Sequence, residues 1–260
     1  MNSLTPGHPE FQHTKGVEMT TGPLGQGMSS AVGMAIASRY WRQFFDAKTA
    51  INQSIFDNYI YVVASDGDLQ EGVSAEASSL AGTQLLGNLK VIYDDNRISI
   101  EGDTHITCTE DIDARYLAYG WEVIVVAKKA DGDIDRESLE RAMISAVAQK
   151  NKPVLIHIHT VIAWPAPNAK GTSKAHGSAL GNDEISATKI LLGLNPAETF
   201  IAPTEVINHA REVKRRGSEM YAQWLTKFQA WEKTNNQSAE LLKRLLSKKL
   251  PANFQDSFPA

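Results

Sequence analysis

Four short, continuous apolar runs, separated by stretches of helical character, constrain the fold of this chain most strongly. The runs span residues 59–64, 89–93, 121–126 and 154–160 and are rich in β-branched and aromatic side chains. Runs of this length and composition predict buried strands. Because continuous apolarity is typical of parallel strands covered on both faces, the sequence predicts a mostly parallel sheet.

Helical periodicity fills the segments between these runs. Between residues 28 and 40 every fourth residue is apolar, and the same spacing recurs between 139 and 147. Strands that alternate with helices imply right-handed crossovers and a three-layer α/β/α architecture. After about residue 200 the strand signals stop, and the pattern becomes helical with breaks predicted at Gly217 and at residues 234–236. We therefore expect two parts, an α/β domain over residues 1–200 and a helical extension and linker over 201–260.

The composition excludes several classes of protein. Of the 260 residues, 42% are hydrophobic and 22% charged, as in ordinary globular chains. A net charge of -4 argues against broad nucleic-acid binding, and no apolar run approaches the roughly 20 residues that span a bilayer. Cys108 is the only cysteine, which excludes an internal disulfide and a metal site built from several cysteines. With no leader visible at the start, we expect a cytoplasmic protein without nucleic-acid or membrane partners.

A polar loop directly follows the first predicted strand. It begins Ser65-Asp66-Gly67 and precedes a helical pattern over residues 73–86. Gly67 lets a ligand approach the backbone closely, amides at the start of a helix favour phosphate, and Asp66 offers a hard anionic oxygen suited to Mg²⁺. Ligands in open α/β sheets bind beyond the carboxyl ends of strands. The loop is therefore a candidate site for a phosphate-bearing ligand.

Asn96 follows the second predicted strand in the same way. Thirty residues separate it from Asp66, enough for one loop, one helix and one strand. If the two strands are neighbours, both tips lie side by side and can hold a metal ion that completes its shell with phosphate and water. Taken alone, Asp-Gly after a strand is most often only a turn. The sequence contains neither the glycine-rich motif of dinucleotide-binding domains nor a P-loop motif, so it does not support binding of a dinucleotide or of a nucleotide at a P-loop.

Asp66-Gly67 with Asn96 resembles the thiamine diphosphate signature, and the wider sequence resembles transketolases over essentially the whole chain. The motifs that carry the resemblance are PGHPE at 6–10, TTGPLGQG at 20–27, QEG at 70–72, YDDNRISIEG at 93–102 and HG at 176–177. The resemblance implies the thiamine diphosphate-binding fold. It also implies the cofactor itself together with Mg²⁺, or Ca²⁺ in its place.

The resemblance implies a role for particular residues. Asp66, Asn96 and the backbone carbonyl of Ile98 would hold the metal against the diphosphate, which Gly67 and His176 would also contact. The other implied cofactor contacts are Gly22 and Leu24 at the aminopyrimidine and Ile100 at the thiazolium. The implied catalytic side chains are His8 and His176, facing substrate hydroxyls, and Glu71, in a carboxylate network across a dimer interface.

The implied activity is that of a transketolase-type transferase, which moves a two-carbon ketol unit from a ketose phosphate to an aldose phosphate in the pentose phosphate pathway. From the resemblance we expect the chain to lack the opening segment of transketolases and their later domains, and therefore to be inactive alone. The implied partners are sugar phosphates and either a second copy in a homodimer or a chain that carries the pyrimidine-binding domain.

Two other functions stay open from the sequence. One is a non-catalytic, truncated remnant that binds a partner, favoured by Ser65 at a usual glycine position and by Pro165 in a loop that is commonly Gly-aromatic-Gly. The other is a different thiamine enzyme, such as dihydroxyacetone synthase. His157 and His159 share one face of the fourth strand, and we expect them to pack in the core or at the strand end.

Overall fold

The computed structural model of this chain describes residues 6–258, and its sheet confirms the predicted α/β class. Four strands lie parallel in the order β1-β2-β4-β3. They are β1 (Ile60–Ser65), β2 (Leu89–Asp95), β3 (Glu122–Val126) and β4 (Val154–His159). Because β1 and β2 are neighbours, with Ser65 opposite Asp94, the carboxyl ends of both strands meet at one edge of the sheet.

Two apolar cores form on opposite faces of the sheet. Successive side chains of a strand point to opposite faces, and on β2 Val91 belongs to one core while Ile92 packs against the other. The first core takes in residues of the helices Gln26–Asp46, Gly72–Thr83 and Ile112–Ala118, and the second takes in residues of the helix Arg136–Ala148. This arrangement confirms helices on both faces of the sheet.

Among the described residues, eight α-helices precede, connect and follow the strands. They are α1 (Gln26–Asp46), α2 (Asp66–Gln70), α3 (Gly72–Thr83), α4 (Ile112–Ala118), α5 (Arg136–Ala148), α6 (Asn182–Leu191), α7 (Thr204–Thr234) and α8 (Asn236–Leu246). Within the described residues, none of these helices is long and apolar enough to cross a membrane.

One detail of the predicted helices is wrong. Gly217 does not interrupt α7, which runs through it, whereas the predicted break at residues 234–236 is present between α7 and α8. The apolar stripe of α1 is buried only in its first half, because Met28 and Val32 lie in the core while Ile36 and Tyr40 are exposed.

The chain divides into two compact units. One contains the described residues up to Tyr40 and Asn58–Thr199, which include the sheet. The other contains Trp41–Asp57 and the residues from Phe200 onward. Phe45, Trp231, Ala239 and Leu242 form the buried core of this second unit.

Candidate cofactor and metal site

Asp66 lies at the carboxyl end of β1 and joins the tips of β1 and β2. Its buried carboxylate accepts hydrogen bonds from the Tyr93 hydroxyl at 2.7 Å and from the backbone amides of Asn96 at 3.2 Å and Arg97 at 3.1 Å. Asp66 and Asn96, which are 30 positions apart in the chain, are thus in direct contact. The structure brings these two predicted ligands together.

The Asn96 side chain shapes the turn that follows β2. Its Oδ1 accepts a hydrogen bond from the amide of Ile98 at 3.0 Å, so the three predicted metal ligands form one connected group. Carboxylate, amide and backbone carbonyl oxygens are hard donors. The donor set therefore has the chemistry of a Mg²⁺ or Ca²⁺ site.

Burial raises the pKa of Asp66, and the nearby charge of Asp95 raises it further, while the hydrogen bonds from Tyr93 and from the amides of Arg97 and Asn96 lower it. The net shift is upward. A divalent cation at this carboxylate would favour its ionised form, since an opposite charge nearby lowers the pKa of an acid.

Ser65 takes the position before Asp66 without backbone strain. Its φ of -100° and ψ of 177° are ordinary extended values, so the freedom of a glycine at positive φ is not needed there. The Ser65 hydroxyl and amide both bond Oδ2 of Asp68, at 3.0 Å and 2.9 Å. Ser65 is therefore the N-cap residue of α2, and a serine fits the backbone conformation at this position.

The loop before α1 lies beside α2 and α3. A Cβ added at Gly67 would meet Leu24 Cδ1 at 3.0 Å, and one added at Gly25 would meet Glu71 Cβ at 2.9 Å. A Cβ at Gly22 would lie 3.4 Å from the ring of His8. The Leu24 side chain therefore lies next to Gly67, and the His8 ring lies next to Gly22.

Among the described residues, no hydrogen bond or ion pair joins Ile100 or His176 to the group formed by Asp66, Asn96 and Ile98. Ile100 is 70% exposed, and His176 is exposed at the end of a 3₁₀ turn over Ser173–Ala175. Their roles, like those of His8 and Glu71, stay predictions.

A cavity of about 750 Å³ opens beside Asp66, and two histidines of β4 line it. Asp95 Oδ2 lies 3.1 Å from His157 Nε2 and 2.8 Å from His159 Nδ1. His157 Nδ1 lies 2.9 Å from Asp113 on α4. The expectation that these histidines pack at the strand end was incomplete, because both contact a buried carboxylate.

Asp95 and His157 favour each other's charged forms. Burial opposes ionisation of Asp95, but the hydrogen bond from His157 and the charges of Arg97 and both histidines lower its pKa to about 2. Burial also opposes the charged form of His157, but Asp95 and Asp113 raise its pKa overall.

The sequence contains a pattern that predicts the cluster of Asp95 with His157 and His159, but the pattern can be recognised only when the strand order is known. Tyr93 and Asp95 alternate on β2, His157 and His159 alternate on β4, and the register pairs Tyr93 with His157 and Asp95 with His159. Only once β2 and β4 are known to be neighbours do the four side chains share a face.

Comparison with known proteins identifies the family. Residues 1–251 match the family described as transketolase, thiamine diphosphate binding domain. The chain belongs to this transketolase family. It is 52% identical over 257 residues to the transketolase of Mycobacterium leprae, covering 99% of this chain and 36% of that protein. It is 42% identical to transketolase 1 of Saccharomyces cerevisiae, covering 100% of this chain and 37% of that protein.

Solved transketolases share the fold. The transketolase of Leishmania mexicana superposes with a TM-score of 0.91 at 37% identity, over 100% of this chain and 38% of that one. The transketolase of Pichia stipitis in complex with sedoheptulose 7-phosphate gives a TM-score of 0.89 at 40% identity, over 100% of this chain and 37% of that one. The chain spans about a third of the length of the transketolases it matches.

Proposed function

We propose that this chain binds thiamine diphosphate through Mg²⁺ and supplies the diphosphate half of a transketolase site. The contact between Asp66 and Asn96 at the tips of two neighbouring strands carries this proposal. Asp66, Asn96 and the carbonyl of Ile98 would hold the metal, since their oxygens suit a hard cation that keeps phosphate and water as further ligands.

The residues around this metal group would hold and orient the cofactor. Gly67 would give its amide to the diphosphate, because glycine has no side chain of its own to keep a ligand away from the backbone. Leu24, in contact range of Gly67, and Gly22 would lie at the aminopyrimidine, and Ile100 at the thiazolium. His176 would hydrogen-bond the diphosphate.

Three side chains would serve the reaction. His8 and His176 would hydrogen-bond substrate hydroxyls, which orients the sugar chain for bond cleavage. Glu71 would join a carboxylate network at a subunit interface. Bound thiamine diphosphate supplies the electron sink for breaking and forming the carbon–carbon bond, and the protein contributes binding, orientation and electrostatics.

The proposed reaction moves a two-carbon ketol unit from a ketose phosphate to an aldose phosphate, in the pentose phosphate pathway and in the cytoplasm. Its substrate class is supported by the Pichia stipitis transketolase, whose structures contain xylulose 5-phosphate, fructose 6-phosphate or sedoheptulose 7-phosphate. We propose that turnover requires a homodimer or pairing with a chain that carries the pyrimidine-binding domain.

Calorimetric titration of the full chain with thiamine diphosphate tests the proposal. We expect binding that requires Mg²⁺ and is lost in Asp66→Asn, because the variant keeps the shape of the side chain but removes its charge. Glu140→Gln, an exposed carboxylate on α5, removes the same charge elsewhere and should bind as the parent chain does.

Circular dichroism establishes that each variant is folded. A folded parent chain without Mg²⁺-dependent binding would refute the proposal. That result would favour the non-catalytic, partner-binding alternative, for which the exposure of apolar side chains on β1, 48% at Tyr61 and 73% at Val63, is the supporting observation.

A further inference from the structure

Asp95, His157 and His159 form a compact cluster that the proposed cofactor site does not use. We propose that it is a second cation site, selective for a divalent transition metal of the Zn²⁺ class. Each residue offers one ligand atom, and these atoms lie within 4.8 Å of one another. None of the three is a proposed Mg²⁺ ligand, so the two proposals can fail separately.

The backbone fixes the cluster rigidly. Asp95 and His159 lie opposite each other on the neighbouring parallel strands β2 and β4, and His157 precedes His159 by two residues on the same face. Asp95 and His157 are buried, while the His159 side chain is 30% exposed. Ligands on central strands keep their geometry better than ligands on loops.

Two of the three distances between ligand atoms are close to those that a metal requires, and the third, between the two histidine nitrogens, is at most 4.8 Å. Ligands at about 2.05 Å from a tetrahedral ion lie roughly 3.4 Å from each other. Asp95 Oδ2 is now 3.1 Å from His157 Nε2 and 2.8 Å from His159 Nδ1. Opening the cluster by a few tenths of an ångström would admit the ion, and side-chain rotation alone covers such a shift.

His157 is held between two carboxylates, which explains why a cation suits the cluster. Without a metal, a proton on Nε2 serves the contact with Asp95 at 3.1 Å, and Nδ1–H donates to Asp113 at 2.9 Å. A metal ion can take the place of the Nε2 proton and bond both Nε2 and the Asp95 carboxylate, and the carboxylate on the far nitrogen is the usual outer partner of a metal-bound histidine.

Arg97 is the one cation that the structure places at the Asp95 carboxylate among the described arginine and lysine side chains, with Nε at 3.6 Å from Oδ2. Its side chain is 70% exposed, so it can turn into solvent without a large penalty. Three protein ligands beside a cavity of about 750 Å³ leave room for a fourth, exchangeable ligand. Imidazole nitrogens select transition metals over Mg²⁺, which prefers oxygen.

Titration of the full chain with Zn²⁺ in saturating Mg²⁺ tests this site. We expect one Zn²⁺ per chain, with affinity about 100-fold lower in His159→Gln and about tenfold lower in Asp113→Asn, which removes an outer partner. His209→Gln on α7 is the matched histidine control, because His209 is exposed and distant in sequence. It should leave the affinity unchanged.

Two further variants separate this site from its neighbours in the cavity. Asp66→Asn should lose Mg²⁺-dependent cofactor binding but keep Zn²⁺ binding. Cys108→Ser should also keep it, because Cys108 lines the cavity without belonging to the cluster. Zn²⁺ binding that is absent in the parent chain, unaffected by His159→Gln or lost in Cys108→Ser would overturn the proposal.

Discussion

Lys90 has its whole side chain buried at the second position of β2. Its ammonium group donates to the carbonyl of Gln149 at 2.8 Å. Burial lowers its pKa from 10.5 to about 8, with help from the charge of Lys150 and opposition from Glu122. The folded chain therefore carries a lysine that is weakly protonated above pH 8, whereas the unfolded chain keeps the proton up to about pH 10.5.

This difference predicts how stability depends on pH. Between pH 8 and 10.5 the unfolded state binds more protons at Lys90, so the free energy of unfolding rises with pH. The contribution is at most about 3–4 kcal/mol, since the pKa falls from 10.5 to about 8 and one pKa unit corresponds to about 1.4 kcal/mol. Urea unfolding of the parent chain and of Lys90→Met across this range should show the rise only in the parent chain. Parallel curves would contradict it.

The sequence predicted a contact between two residues correctly where one strand, one helix and the next strand sufficed. Asp66 and Asn96 could be paired because one βαβ unit separates them, and the structure joins them at 3.2 Å. Asp95, His157 and His159 could not be grouped, because their contact depends on β4 pairing with β2, and β3 precedes β4 in the chain. Strand order follows from packing of the whole sheet rather than from any local pattern.

Two helical glycines show how position decides the effect of one methyl group. Gly217 lies in α7, and a Cβ added there has open space around it. Gly82 lies in α3, and a Cβ added there would be 1.8 Å from the Tyr119 carbonyl oxygen. The predicted break at Gly217 was wrong because a glycine costs an exposed helix only about 1 kcal/mol, which neighbouring residues offset.

The same substitution should therefore have opposite effects in the two helices. Gly217→Ala should stabilise the chain by about 0.5–1 kcal/mol through helix propensity and a less flexible unfolded state. Gly82→Ala should destabilise it by about 3 kcal/mol or more, because backbone must move to relieve the overlap. Thermal unfolding followed by circular dichroism measures both changes. Equal signs in the two variants would contradict this account.

At the scale of the whole molecule, the chain has two compact units with separate buried cores. Trp121 lies in the core of the unit that contains the sheet, where its indole N–H donates to the Ser78 carbonyl at 2.8 Å. Trp231 lies in the smaller core of the other unit. A core of few residues supplies little stability, so we propose that the second unit unfolds separately from the sheet.

Truncating each tryptophan tests this separation. Trp231→Ala removes a buried side chain that typically costs 3–5 kcal/mol, and it should raise amide hydrogen exchange in α7 and α8 while the amides of β1, β2 and β4 stay protected. Trp121→Ala should produce the reverse pattern, exchange in the strands with α7 and α8 unchanged. If either variant loosens both units equally, they fold as one cooperative body. Since Asp66 and Asn96 lie in the unit that contains the sheet, selective unfolding in Trp231→Ala should also leave Mg²⁺-dependent cofactor binding intact.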